Sequence, residues 1–193
     1  MPGIRDAIKK LLAPSNTSQA GSRFAEPGTS VEPNKNDVWT LQSSRLGQFA
    51  VALPGKPREE TIAVPERPVV HALKLQKSGF SYFACCRDYA ALGLGVAEVA
   101  LMEERRSAQN QLDFEVRDVK EVEFAGKPGR EFLILYGSGT VICRRLIVEG
   151  QQSYQADLGW MPGEVSESVV RATSENFFSS FALTNAASPA ISM

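Results

Sequence analysis

Hydrophobic and polar residues alternate along much of the chain between Val38 and Trp160. In "GQFAVALPG", Phe49, Val51 and Leu53 fall on one face, which is the period of a β-strand. "EETIAVP" and "PVVHALKLQ" predict two more strands, and "FSYFACCRDYA" a fourth that is rich in aromatic residues. From about Gly95 to Leu112 the period changes. There "GVAEVALMEERRSAQNQL" sets Val96, Val99, Ala100 and Met102 against Glu103, Glu104, Arg105 and Arg106, predicting a helix apolar in its first turns and exposed in its last. A meander follows: "FEVRDVKEVEF", "REFLILYG", "TVICRRLIVEG" and "QSYQADLGW". Its joints fall at Gly126-Lys127-Pro128-Gly129, Gly137-Ser138-Gly139 and Glu149-Gly150-Gln151, and short glycine joints make neighbouring strands antiparallel. Pro162-Gly163 then leads into a second helix, "EVSESVVRATSENFFSSFAL", striped by Val165, Val169, Val170, Ala172, Phe177 and Phe181. Strands, helix, strands, helix, without regular βαβα alternation, predict an α+β fold: one central antiparallel sheet flanked by helices.

The two ends read differently from this body. Over residues 3–12, Ile4, Ala7, Ile8, Leu11 and Leu12 recur at helical spacing, with Arg5, Asp6, Lys9 and Lys10 on the other side. Pro2 suits the start of this short amphipathic helix and Pro14 stops it. A helix of that length does not hold in water alone, so it needs a surface to lie on. Residues 15–36 are Ser, Thr, Asn, Gly, Pro and Glu with almost nothing apolar, the composition of a flexible linker. The organisation predicted is an N-terminal arm over 1–37, a globular domain over 38–185 and a frayed tail over 186–193.

A chain of 193 residues suits one domain with such appendages, large enough for a core without staples. A net charge of -1 offers no general electrostatic reason to bind nucleic acid. The apolar runs are all shorter than the roughly 18–20 residues that span a bilayer. The N-terminal stretch also lacks the pattern of a secretory signal. Three cysteines, two of them adjacent (Cys85 and Cys86), do not make a disulfide framework. Reduced thiols in a cytoplasmic protein are the expectation.

Candidate chemistry is sparse. Gly55-Lys56-Pro57 and Gly126-Lys127-Pro128 both follow a short hydrophobic alternation, as phosphate-cradling loops do. Such a loop needs an earlier glycine and a hydroxyl after the lysine, and a helix behind it. Here Ala50 and Glu121 stand at the earlier position and proline follows each lysine, so both tripeptides read as solvated turns. "GLGVAE" ends on Glu98, whose carboxylate would repel a pyrophosphate. His71, the one histidine, shares a strand face with Val69, Leu73 and Leu75 and reads as a half-buried structural residue. A Cys–His pair with Cys85, Cys86 or Cys143 stays conceivable, though adjacent strand residues point to opposite faces, so one of Cys85 and Cys86 at most faces His71. Glu59-Glu60, Glu103-Glu104 and Glu121-Glu123 read as solvated faces, and metal-ligand spacing is absent. No catalytic, cofactor-binding or metal-binding residue is assigned, and the chain is expected not to be an enzyme.

"FAVALPGKPREE", "AGKPGREFLI", "RLIVEGQQSYQADLG" and "ATSENFFSSFALT" together resemble a pattern of small bacterial domains. In it a strand ends in F-x-V-x-F/L-P-G-K-P, a hairpin carries G-x-P-G-R-E-F/L, a strand pair carries R-L/I-x-V/L-x-G/N-x-x-x-Y-x-L, and a closing helix carries F-x-x-S-F-x-L. The pattern is similar to the PsbP/Mog superfold, named for the PsbP subunit of the photosystem oxygen-evolving complex and for a Ran-binding nuclear-import regulator. The resemblance covers about residues 45–184 and implies an α/β/α sandwich that acts by docking onto larger partners rather than by catalysis. Gln155 departs from it, standing where the pattern has an apolar residue after Tyr154.

Two functions follow as expectations. The first is an interaction or assembly protein that docks onto a larger protein complex through the arm, with Ile4, Arg5, Ile8, Lys9, Leu11 and Leu12 as the contact residues. The second is a small-ligand carrier or minor enzyme with a cleft between sheet and helices, lined by His71 or by the Tyr82/Cys86 face. Contact of the basic helix with an anionic membrane is a weaker third, because three positive charges on two turns are marginal for it. The arm's helix can also lie on the protein's own body. The oligomeric state is left open.

Overall fold

The computed structural model describes residues 37–108 and 114–184, without the side chains of 104–108. The helix expected over 3–12, nearly all of the arm and the tail over 186–193 lie outside the described residues. The chain runs β1 (Thr40–Ser44), β2 (Phe49–Leu53), β3 (Arg58–Ile62), β4 (Val69–Lys77), β5 (Phe80–Asp88), α1 (Val96–Ala108), β6 (Phe114–Phe124), β7 (Lys127–Tyr136), β8 (Val141–Glu149), β9 (Gln152–Trp160), α2 (Glu167–Ser179) and β10 (Ala182–Leu183). Every strand pairing is antiparallel. A seven-stranded sheet has the order β3-β4-β5-β9-β8-β7-β6, and a three-stranded sheet the order β1-β2-β10. After α1 the chain therefore jumps to the far edge and returns strand by strand until β9 closes against β5.

Two of the hairpins turn on a pair of residues with positive φ: Ser78 (53°) with Gly79 (78°), and Ala125 (52°) with Gly126 (71°). Positive φ at both central residues matches the right-handed twist of the strands they join. The second of these corrects the expected joint. Lys127, Pro128 and Gly129 are not in the turn; they open β7 and pair with Phe124, Glu123 and Val122. Gly129 is there for closeness, because a Cβ on it would sit 2.7 Å from the Leu146 carbonyl oxygen and 2.6 Å from the Ile147 Cγ2.

The large sheet has two unlike faces. On one, Phe80, Tyr82, Ala84 and Cys86 of β5 lie beside Trp160, Leu158, Ala156 and Tyr154 of β9, all buried. This face is sealed by α2, through Val169, Val170, Phe177 and Phe178, and by the inward residues Phe49, Val51 and Leu53 of the small sheet. Phe177 meets Tyr82 edge-on at 5.5 Å and Phe49 stacks on Phe181 at 5.4 Å. On the other face, Arg87, Gln155, Asp157 and Arg144 stand where side chains alternate away from that core. A smaller cluster of Phe132, Ile134 and Leu146 lies beside them. Here α1 packs, burying Val99 and Glu103.

The α+β class is therefore observed, with three corrections to its details. The face under α2 carries a second sheet beside the helix, because the chain re-forms a strand pair after Ser179 and puts Ala182–Leu183 against β2. The stripe of α2 is Val169, Val170, Thr173, Phe177 and Phe178, with Ala172 outside it; Val165 and Phe181 are buried just beyond the helix ends. In α1, Val96 and Met102 face out while Glu103, expected on a solvated face, is fully buried. The reason is polar: the sheet beneath Glu103 offers a guanidinium and a phenol.

Candidate interaction site

The polar residues under α1 form one connected network. Arg144 on β8 donates from Nε and Nη2 to the two carboxylate oxygens of Asp157 on β9, at 2.9 and 2.8 Å. The Gln155 amide donates to the same carboxylate, at 2.8 and 2.7 Å, and its oxygen accepts from Arg87 Nη1 at 2.9 Å. Arg87 Nε lies 4.0 Å from the Glu103 carboxylate, which also accepts the Tyr89 hydroxyl proton. Burial by itself would pull the Arg144 pKa down, but the Asp157 carboxylate outweighs it and holds the guanidinium protonated above its usual range. The chain of partners leaves α1 pinned to the sheet from beneath. Around it Val96, Leu101 and Met102 are 54%, 48% and 44% exposed.

His71 shares its face with Cys86, its direct cross-strand partner, while Cys85 points to the other face. Its Nδ1 lies 3.1 Å from the Thr61 hydroxyl. Burial pushes the Cys86 thiol up to about 12, with the neighbouring Cys85 adding to it, and burial likewise raises Cys143. A thiol so raised is not a nucleophile near neutral pH. Among the described residues no group of three or more His, Cys, Asp or Glu could hold a metal ion.

A cleft of about 370 Å³ does open between α2 and the sheet, lined by Leu133, Cys143, Trp160, Val170 and Phe178. Glu131 is buried at its wall and receives Arg145 Nε at 2.7 Å and Lys120 Nζ at 3.0 Å. The Arg145 guanidinium also lies over the Phe178 ring, 4.5 Å from its centre. The lining includes none of His71, Tyr82 and Cys86, the residues expected to line such a cleft. Lys56 is exposed at the bend leaving β2, and Lys127 Nζ pairs with Glu149 at 3.1 Å.

The contact residues expected in the arm, Ile4, Arg5, Ile8, Lys9, Leu11 and Leu12, lie outside the described residues. The network of Tyr89, Arg87, Glu103, Arg144, Gln155 and Asp157 was not singled out from the sequence. One signal for it existed. In "QSYQADLGW" the residues Ser153, Gln155 and Asp157 repeat a polar side every second position of an otherwise apolar strand, and Gln155 breaks the family-like pattern there.

No family model matches the chain, and no curated protein matches it. Among solved structures it is similar to the solution structure of cyanobacterial PsbP (CyanoP) from Synechocystis sp. PCC 6803, at 12% identity and a TM-score of 0.47, covering 84% of this chain and 98% of that one. It is also similar to a protein of unknown function, PA94, from Pseudomonas aeruginosa, at 12% identity and a TM-score of 0.38, covering 65% of this chain and 85% of that one. The first is a PsbP, the kind of protein that the sequence motifs resemble. With both TM-scores below 0.5, the fold rests on the strand pairings themselves.

Proposed function

We propose that this chain is a non-catalytic interaction protein that docks onto a larger protein complex. The observation that carries this reading is α1: a helix fastened from below by the buried Glu103 that leaves Val96, Leu101 and Met102 exposed in its first two turns. Exposed apolar groups gathered on one element mark interaction surfaces. The arm is the second contact we propose, through Ile4, Ile8, Leu11 and Leu12, with Arg5 and Lys9 at the rim. Burying Ile4, Ile8 and Leu11 is worth about 1.5–3 kcal/mol each before ordering costs, which suits a reversible contact.

Capture of partners by the intact chain, by a chain lacking residues 1–37 and by the full chain with Ile8→Asp and Leu11→Asp tests the arm. The expected result is the same loss of assembly in both altered proteins, with a nearly unchanged melting temperature. A truncated protein that joins its complex at full affinity would sink the arm's role. Leu101→Asp, tested in the same way, does the same for α1.

The cleft beside Glu131 favours a second reading, a carrier for a small amphipathic ligand, since it combines apolar walls with charged groups at its rim. That reading predicts a ligand-dependent rise in melting temperature that Cys143→Trp, filling the cleft, removes.

A further inference from the structure

The cleft between α2 and the large sheet has a charged end and an apolar end. α2 packs on β9 and against β2, so β8, β7 and β6 run out beside it. Across those three strands Arg145, Glu131 and Lys120 are direct cross-strand neighbours and form one charged row. Toward Trp160 the same face turns apolar, with Leu133 beside Cys143 and then Leu135 beside Val141 and Trp160. Val170 and Phe178 of α2 complete the walls. Ala156 stands beside Arg145, and from there to Trp160 is four residues along β9, about 13 Å. The charged row itself is unbalanced. Glu131 is buried, and its two carboxylate oxygens take Lys120 Nζ at 3.0 Å and Arg145 Nε at 2.7 Å, so one anion faces two cations. Arg145 donates there from Nε alone. Among the described residues its Nη1 and Nη2 have no acceptor, and the guanidinium lies over the Phe178 ring at 4.5 Å. Of the acids on the helix side, Glu167 is paired with Arg171 at 3.6 Å and Glu175 is exposed.

We infer that this cleft takes a small monocarboxylate, its head on Arg145 and its apolar body directed toward Trp160. The inference rests on the ligand-carrier reading of the cleft and gives that reading a chemical class. Two guanidinium nitrogens without a protein acceptor offer a carboxylate a fork of donors, and charge-assisted bonds of this kind are the strong ones. A cationic head would meet Arg145 and Lys120 instead. The reverse placement is opposed by Asp118, which stands beside Leu133 on β6, one step from the charged row toward the apolar end. The apolar body displaces water from Leu133, Cys143 and Trp160. A volume of about 370 Å³ lies near the low end of the roughly 300–1,000 Å³ of ligand sites, and with a floor of about 13 Å it suits a medium-length chain rather than a long one.

Calorimetric titration of the full chain with octanoate, octanol and octylamine tests it, since the three share one body and differ in the head. The expected result is saturable binding of octanoate, about tenfold or more tighter than either of the others. Arg145→Gln should remove that margin and leave the affinity for octanol unaltered. Lys120→Gln, at a side chain 42% exposed, should narrow the margin in the same sense, so a fold defect in Arg145→Gln leaves a second variant. Octanol or octylamine binding as tightly as octanoate would overturn the carboxylate class and leave the ligand-carrier reading standing. Octanoate binding that survives Cys143→Trp would also overturn the inference, by placing the acid outside the cleft. Absence of binding by all three would end the inference and the carrier reading together.

Discussion

Glu103 is a fully buried carboxylate on a helix that is largely exposed, and its partners Tyr89 and Arg87 come from the end of β5 and the residue after it. Removing one member of such a set leaves the others desolvated. Glu103→Ala is therefore expected to cost about 3–5 kcal/mol in urea unfolding, and Tyr89→Phe about 1–3 kcal/mol. An unchanged midpoint in Glu103→Ala would show that the carboxylate does not hold α1. The buried thiols and phenols make a second residue-scale statement. Cys86 is raised to about 12 in the folded protein, and burial also raises Cys143, Tyr82 and Tyr154. Groups whose folded pKa lies above the unfolded one favour folding fully below the unfolded pKa, and that contribution is lost as pH rises through the folded value. The melting temperature is thus expected to hold up to about pH 8.5, where unfolded thiols begin to ionise, and then to fall steadily toward about 12. In the same buffers near neutral pH, a thiol reagent should find the three cysteines slow to react until denaturant is added. A fast-reacting native thiol at Cys85 or Cys86 would contradict the burial of these two side chains.

At the scale of single elements, β7 and α2 differ in what their sequences say about them. The lysine of Gly126-Lys127-Pro128-Gly129 is a strand residue with an exposed partner, so exchanging Lys56 and Lys127 for Ala should leave stability within about 0.5 kcal/mol and nucleotide binding undetectable. Saturable nucleotide binding lost in that double variant would overturn this. Gly129→Ala is the sensitive change in the motif, expected to cost about 1–3 kcal/mol, because its Cβ meets the backbone of β8 rather than a flexible side-chain tip. Equal unfolding midpoints for Gly129→Ala and the unsubstituted chain would deny the close approach. Phe177 and Phe181 anchor α2 and the chain that follows it, with 0% and 3% of their surface exposed. Phe177→Ala or Phe181→Ala should each cost about 3–5 kcal/mol by thermal or urea unfolding. Two unaltered melting curves would place these rings outside the core.

Across the whole molecule, one face of the large sheet is a hydrophobic core and the other carries a charge network beside a small apolar cluster. The sealed face gives the body its stability, and the other face carries α1, the helix proposed above to meet a partner. The whole-molecule expectation is that residues 38–185 stay folded without the arm, because among the described residues the core contacts are made by elements after Asp37. A collapse of the circular dichroism signal on removal of 1–37 would refute it.

Period-two alternation placed eight of the ten strands, since a side chain every second position must choose between core and solvent wherever a sheet is buried on one face. β1 was missed because its residues, from Thr40 to Ser44, are mostly exposed and polar, and β10 because two residues carry no period. The same pattern was silent on which strands are neighbours across the jump from α1 to β6, a choice made by the pairing of β5 with β9. It also misread Glu103 as solvated. A charge is buried where its partners arrive from distant segments, and Arg87, Gln155 and Asp157 meet beneath α1 only once β9 has closed against β5.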